Sequence, residues 1–347
     1  MSVRVRPSAP IKNYIPPQRF TFPAIIIELL IQMSIFIVVL QSVLVLLGIG
    51  LIGFWITRRG ILPENVLSLL SRLAIDIALP CMVFASIMVN FSPAELPDWW
   101  QLPLWWFAFA AVSLVLTLIT MFISQKETRG EFALNLFFQN GLFMPLIIIS
   151  GIFGTDTPYI PQLYIFIIFH PVVFFSAYQL FFRNKSQTRI QWSRIFNPIL
   201  IATVLAVVVQ LLTARDYLPD FVQSIIQILG GMALPLIMII LGGSLYLDIR
   251  QKGKFYYGEI IKFVIIKNLV FPMAFLALLI FLQPTYSLAL IFILQAAVPP
   301  ITGTPIVTER AGGNKSISNQ FVLSSFVFSV VSIPVVFLIF SHFFPMP

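Results

Sequence analysis

Apolar stretches long enough to cross a bilayer recur along this sequence and leave little room for any other architecture. Ten can be drawn, at about 34–56, 65–88, 103–123, 131–152, 160–182, 197–213, 222–246, 256–282, 286–306 and 317–342. A helix needs about 20 apolar residues to cross ~30 Å of hydrocarbon. Charged residues make up only 10% of the chain, against about 25% in a soluble domain. The expected fold class is an all-α integral membrane protein with ten transmembrane helices. Pro63, Pro97, Pro103, Pro158, Pro161, Pro219 and Pro284 fall at or near the joins, where helix stops and first turns belong.

Two of the runs cannot be continuous helices. Residues 295–305 hold Pro299, Pro300 and Pro305 with Gly303, Thr302 and Thr304, and each proline removes a backbone donor and strikes the preceding turn. Freed backbone groups at membrane depth persist only where protein or a wet cavity satisfies them. An earlier stretch corresponds to it. Asn140-Gly141 and Pro145 align with Gln295-Ala296 and Pro300 at an offset of 155 residues, and the same offset carries Ala78-Leu79-Pro80 onto Ala233-Leu234-Pro235. A duplicated half is the economical reading.

Loop charge gives the orientation. Arg58 and Arg59, Lys126 and Arg129, Arg183, Lys185, Arg189 and Arg194, Arg250, Lys252 and Lys254, and Arg310 and Lys315 fall in alternate loops; the others offer Arg215 alone. Thirteen basic residues against one place the first set in the cytoplasm and both termini outside. Five spans per half then give the halves opposite orientation, an inverted repeat. The expected domains are an N-terminal extension at 1–32, disordered or interfacial, a first five-helix repeat at 33–182, a cytoplasmic linker at 183–196 and a second repeat at 197–347. The first apolar run starts near Phe22 and overshoots the bilayer. Either Ala24–Gln32 lies along the interface, or the span is steeply tilted, or Met33 is the natural start; the last gives a span of ordinary length.

Several phrases resemble the auxin efflux carrier (PIN-like) family of membrane transporters. They are Arg58-Arg59-Gly60-Ile61-Leu62, Leu70-Ser71-Arg72-Leu73 running to Asp76 and Ala78-Leu79-Pro80, Asn140-Gly141 with Pro145, Leu241-Gly242-Gly243-Ser244-Leu245, and Ala296-Ala297-Val298-Pro299-Pro300 followed by Glu309-Arg310 and Gly312-Gly313. The likeness runs from about residue 33 to the C-terminus. It implies two inverted five-helix repeats whose fourth and ninth helices break at prolines and cross. It also implies a scaffold of helices one, two, six and seven, with a mobile domain that carries small organic anions in an elevator manner.

The expected substrate-binding residues are Asn140, Gly141, Pro145, Gln295, Pro299, Pro300, Thr302 and Thr304. Amides at a helix break can serve both freed backbone and a ligand, and half-helix N-termini suit a carboxylate. Asp76 and Lys267 lie about eleven residues from the cytoplasmic ends of their spans, so ~16 Å deep. An isolated charge there is costly, which marks the two as partners in ion coupling. Arg72, Glu259 and Lys262 read as interfacial, and His170 as a helix-bonded histidine. The expected partners are a small organic anion, the lipid bilayer and a second copy in a homodimer, at the cell membrane and with no nucleic acid. One cysteine and two histidines give no zinc-site spacing, and no cofactor is expected. A sodium-coupled symporter of the bile-acid type is the near alternative. A membrane transferase is further off, because it needs an acid–base constellation that two isolated histidines do not supply.

Overall fold

The computed structural model describes residues 22–94, 96–182, 198–213, 218–250 and 255–346. Its regular elements there are helices, and its one strand-like feature among those residues is a single antiparallel bridge. The proposed linker 183–196 and most of the N-terminal extension lie outside the described residues.

Helix α1 (Phe22–Arg58) runs without interruption through the expected first span and the apolar residues before it. Helices α2 (Glu64–Leu73) and α3 (Leu79–Asn90) form one rod joined by a π turn at Ala74–Ala78. The wide turn precedes Pro80, whose ring would otherwise strike the carbonyl four residues back, that of Asp76. Next come α4 (Leu102–Thr120), then α5 (Arg129–Phe137) and α6 (Phe143–Phe153), the two halves of a broken helix. The expected fifth span is also interrupted. Helix α7 (Tyr159–Phe166) stops and α8 (His170–Ala177) restarts, with Pro171 in the first turn of α8, where a missing N–H is harmless.

The second half begins with α9 (Pro198–Leu211), α10 (Asp220–Gly231) and α11 (Ala233–Arg250). Helices α12 (Tyr257–Ile265) and α13 (Phe271–Leu282) are again one rod with a π turn, Ile266–Val270, ahead of Pro272. Helices α14 (Tyr286–Ala297) and α15 (Thr304–Arg310) are the second broken pair, and α16 (Lys315–Phe343) closes the chain. Five continuous helical rods among the described residues are long and apolar enough to cross a membrane: Glu64–Asn90, Trp99–Ile123, Asp220–Ser244, Tyr257–Leu282 and Lys315–Phe343.

Lipid tails are as apolar as leucine, so these helices associate through packing and hydrogen bonds rather than through escape from water. The most extensive helix contact, α1 against α11, is made by small residues. A Cβ on Gly242 would overlap the Gly50 carbonyl, and one on Gly53 would overlap the Ile239 carbonyl. Backbone therefore meets backbone there. Deeper in the molecule Phe109 stacks on Phe275 at 4.5 Å and meets Phe292 edge-on at 5.5 Å, tying α4, α13 and α14 together. Leu51, Ile119 and Phe281 point outward, as side chains facing hydrocarbon should.

Two buried carboxylates brace the end of the molecule nearest the basic loops. Glu259 accepts hydrogen bonds from the Ser124 hydroxyl at 2.6 Å, the Gln125 N–H at 3.2 Å, the Thr128 hydroxyl at 3.3 Å and Lys262 at 2.8 Å. It is thus a buried clamp on the loop after α4. Glu131 accepts from the Asn314 N–H at 2.7 Å and fixes the turn between α15 and α16.

Candidate functional site

The two broken helices meet at their breaks. Asn140 donates its N–H to the Pro299 carbonyl at 2.8 Å and Ile301 donates to the Phe138 carbonyl at 3.0 Å, which makes the Gln139–Pro300 bridge. Each unwound stretch thereby supplies the backbone partners that the other lost, the condition for irregular chain inside a membrane protein.

Side-chain amides complete the knot. Gln295 donates through Nε2 to the Gly141 carbonyl at 2.6 Å, and its Oε1 accepts from Gln139 Nε2 at 3.1 Å. A Cβ at Gly141 would lie 2.6 Å from Gln295 Oε1 and would push that amide out of its place. Asn140 Oδ1 accepts the Phe143 N–H at 3.2 Å and so caps the first turn of α6. Its Nδ2 donors have no protein partner among the described residues. Pro145 lies inside that first turn of α6, where proline is tolerated.

The second break is built differently. Val298 to Gly303 carry no cap for α15, which is only 7 residues long and so makes a weak N-terminal dipole. The Thr304 hydroxyl is committed to Asn135 Oδ1 at 2.6 Å and the Ile301 carbonyl at 2.9 Å, fully buried. Thr302, half-buried, makes no side-chain bond. Of the eight residues expected around the substrate, the structure gathers all at the crossing. Asn140 Nδ2 and Thr302 Oγ1 are the ones with side-chain capacity to spare.

Asp76 and Lys267 are not joined. Asp76 is exposed on its π turn, whereas Lys267 is 1% exposed in the other π turn with its ammonium 5.3 Å from the Phe271 ring. No ion pair links them in this conformation. His170 is buried beside the crossing, edge-on to Trp106 at 5.9 Å and Phe138 at 6.1 Å.

Other polar residues here were not singled out from the sequence. Asn135 Nδ2 donates to Ser318 Oγ at 2.9 Å, and Asn268 exchanges hydrogen bonds with Ser325 (2.7 Å) and Ser332 (3.2 Å). Ser318, Ser325 and Ser332 stand seven residues apart on α16, one polar stripe on an apolar helix. That spacing was the available signal.

A family model described as membrane transport protein matches residues 38–191 and again 183–337. The chain belongs to that family, the auxin efflux carrier-like transporters. An uncharacterized transporter of Methanocaldococcus jannaschii is 24% identical over 236 residues, covering 65% of this chain and 76% of the relative. An uncharacterized transporter of Saccharomyces cerevisiae is 29% identical over 77 residues, 22% of this chain and 18% of the relative. The protein is accordingly a multi-pass membrane transporter, and each of its two family matches contains one of the two helices that meet at the crossing.

Proposed function

We propose that this transporter is a secondary carrier of small organic anions, such as carboxylates, that binds them at the crossing and moves them in an elevator manner. The observation that supports this most is the crossing itself, two proline-broken helices bonded to each other with unused donors on Asn140 and Thr302. A helix leaves the N–H groups of its first turn unpaired, and Asn140 occupies one at α6 while the rest favour negative charge. Ten spans in two inverted five-helix repeats, with cytoplasmic basic loops in the cell membrane, are the arrangement proposed around it, and a homodimer is the proposed assembly. Helices one, two, six and seven form the scaffold. The glycine contact of α1 with α11 supports that division, since bare backbones in contact cannot slide freely.

Coupling to protons or to the membrane potential is assigned to Asp76 and Lys267, acting separately in this conformation. The test is uptake into proteoliposomes of a carboxylate panel, with and without an imposed proton gradient. Saturable uptake of at least one carboxylate is expected, with a rate that changes with the gradient. Transport confined to neutral or cationic solutes would overturn the anion assignment.

A further inference from the structure

Three charged residues are buried among the described residues: Glu131, Glu259 and Lys267. Glu259 accepts four hydrogen bonds and Glu131 accepts one from the Asn314 N–H. Lys267 is the exception, for among the described residues it makes neither a hydrogen bond nor an ion pair, and its ammonium lies over the face of Phe271. A cation–π contact offsets only part of what an ammonium loses on leaving water. Beside it stands a second incomplete group. His170, 5% exposed, faces the Gln139 backbone carbonyl at the crossing and lies within electrostatic reach of Lys267, and its Nε2 has no partner.

Both groups adjoin the crossing. His170 packs on Phe138, whose carbonyl belongs to the bridge. Lys267 sits in the π turn that packs against α14, the helix that carries Gln295. A π turn inserts one extra residue into a helix and often marks a functional position. Here it carries Lys267 inward rather than toward lipid.

We propose that Lys267 is the anion-receiving floor of the crossing, where the negative group of the transported solute is the counter-ion that Lys267 lacks; His170, which donates to the Gln139 carbonyl, presents only its Nε2 lone pair and stands aside from the anion. This rests on the carrier reading above and makes the solute the counter-ion of Lys267, so that its part in coupling runs through the bound solute. A buried cation that waits for its partner is destabilising until the partner arrives, so stability and binding should trade against each other at this one position. A structural lysine would show no such trade.

The experiment uses the full chain, purified in detergent, as wild type, Lys267→Met and His170→Phe. Unfolding midpoints are measured alone and with succinate, benzoate, succinamide and benzamide. Lys267→Met should raise the ligand-free midpoint by about 2–4 °C, because the orphan charge is gone. It should also weaken carboxylate binding at least about tenfold. His170→Phe should leave carboxylate binding within about twofold of wild type, because the neutral imidazole has no donor left to give the anion. The amides should stabilise none of the three. A Lys267→Met protein that unfolds earlier or fails to fold overturns the proposal, as does one that binds carboxylates like the wild type. A wild type stabilised by no carboxylate overturns it too. The carrier reading fails separately, when proteoliposomes take up no solute at all.

Discussion

The contact of α1 with α11 and the crossing of the two breaks are both places where backbones approach closely, yet they are held in opposite ways. At the first, glycines remove the side chains and carbonyl meets helix with nothing between, around Gly50, Gly53 and Gly242. At the second, amide side chains and unwound backbone exchange hydrogen bonds, and donors are left over on Asn140. Packing without side chains tolerates no insertion and offers a ligand nothing. A hydrogen-bonded knot tolerates substitution atom by atom and keeps polar capacity inside the membrane. The first suits a fixed frame and the second a binding site.

The comparison breaks hardest at Gly242. Gly242→Val must push α1 off α11, since even a Cβ would overlap the Gly50 carbonyl. Overpacking of this kind costs about 3 kcal/mol or more when backbone is the obstacle. We expect loss of monodisperse protein in detergent, read by size-exclusion chromatography and the unfolding midpoint. A stable Gly242→Val protein would mean that the two helices have room to separate.

Gln295→Leu attacks the knot instead. It leaves the Gly141 carbonyl and Gln139 Nε2 unpaired in a dry site, a loss of about 2 kcal/mol. The protein should still fold, with a midpoint lower by several degrees and no measurable uptake. Normal uptake by a well-folded Gln295→Leu protein would move the site away from the crossing.

That residue also shows how far the sequence could be read. The prolines announced both breaks, because no helix passes through Pro299-Pro300. Five of the ten expected spans are continuous rods with nearly the expected ends. The repeat offset also aligned Asn140 with Gln295, which implied matching roles. In three dimensions Gln295 bonds Gln139 and Gly141, while Asn140 caps α6. Repeats align backbones, and side chains at a crossing answer to whichever neighbour lies across from them. The break between α7 and α8 was missed because a lone proline in an apolar run is equally consistent with a kink. The partnership of Asp76 with Lys267 rested on depth alone, and depth does not fix which face of a helix a residue occupies.

A smaller effect is expected at Thr304. Thr304→Val keeps the shape and removes the hydroxyl bonded to Asn135 Oδ1, a loss of about 1 kcal/mol. Asn135 retains Ser318 and the Glu131 carbonyl as partners of its other end. Stability should fall slightly and solute affinity should stay near wild type, measured by unfolding midpoint and uptake half-saturation. An affinity loss with no stability loss would return Thr304 to the ligand.

The smallest effect on stability, and the sharpest on function, belongs to Asn140. Its two ends do different work: Oδ1 accepts the Phe143 N–H, and Nδ2 faces no protein partner. Asn140→Asp preserves the accepting oxygen and adds negative charge at a helix N-terminus, where such charge is worth about 0.3–1 kcal/mol. The fold should therefore be unharmed or slightly more stable. The same substitution deletes the spare donors and sets a carboxylate where an anion would bind. Uptake of an organic anion should fall by more than Asn140→Ala lowers it, although Asn140→Ala loses the cap and about 1 kcal/mol of stability. Comparing the two variants in uptake and in unfolding separates the cap from the site. If the aspartate variant transports anions better than the alanine variant, Asn140 acts only as a cap, and the unused donors at the crossing are not where the solute is held.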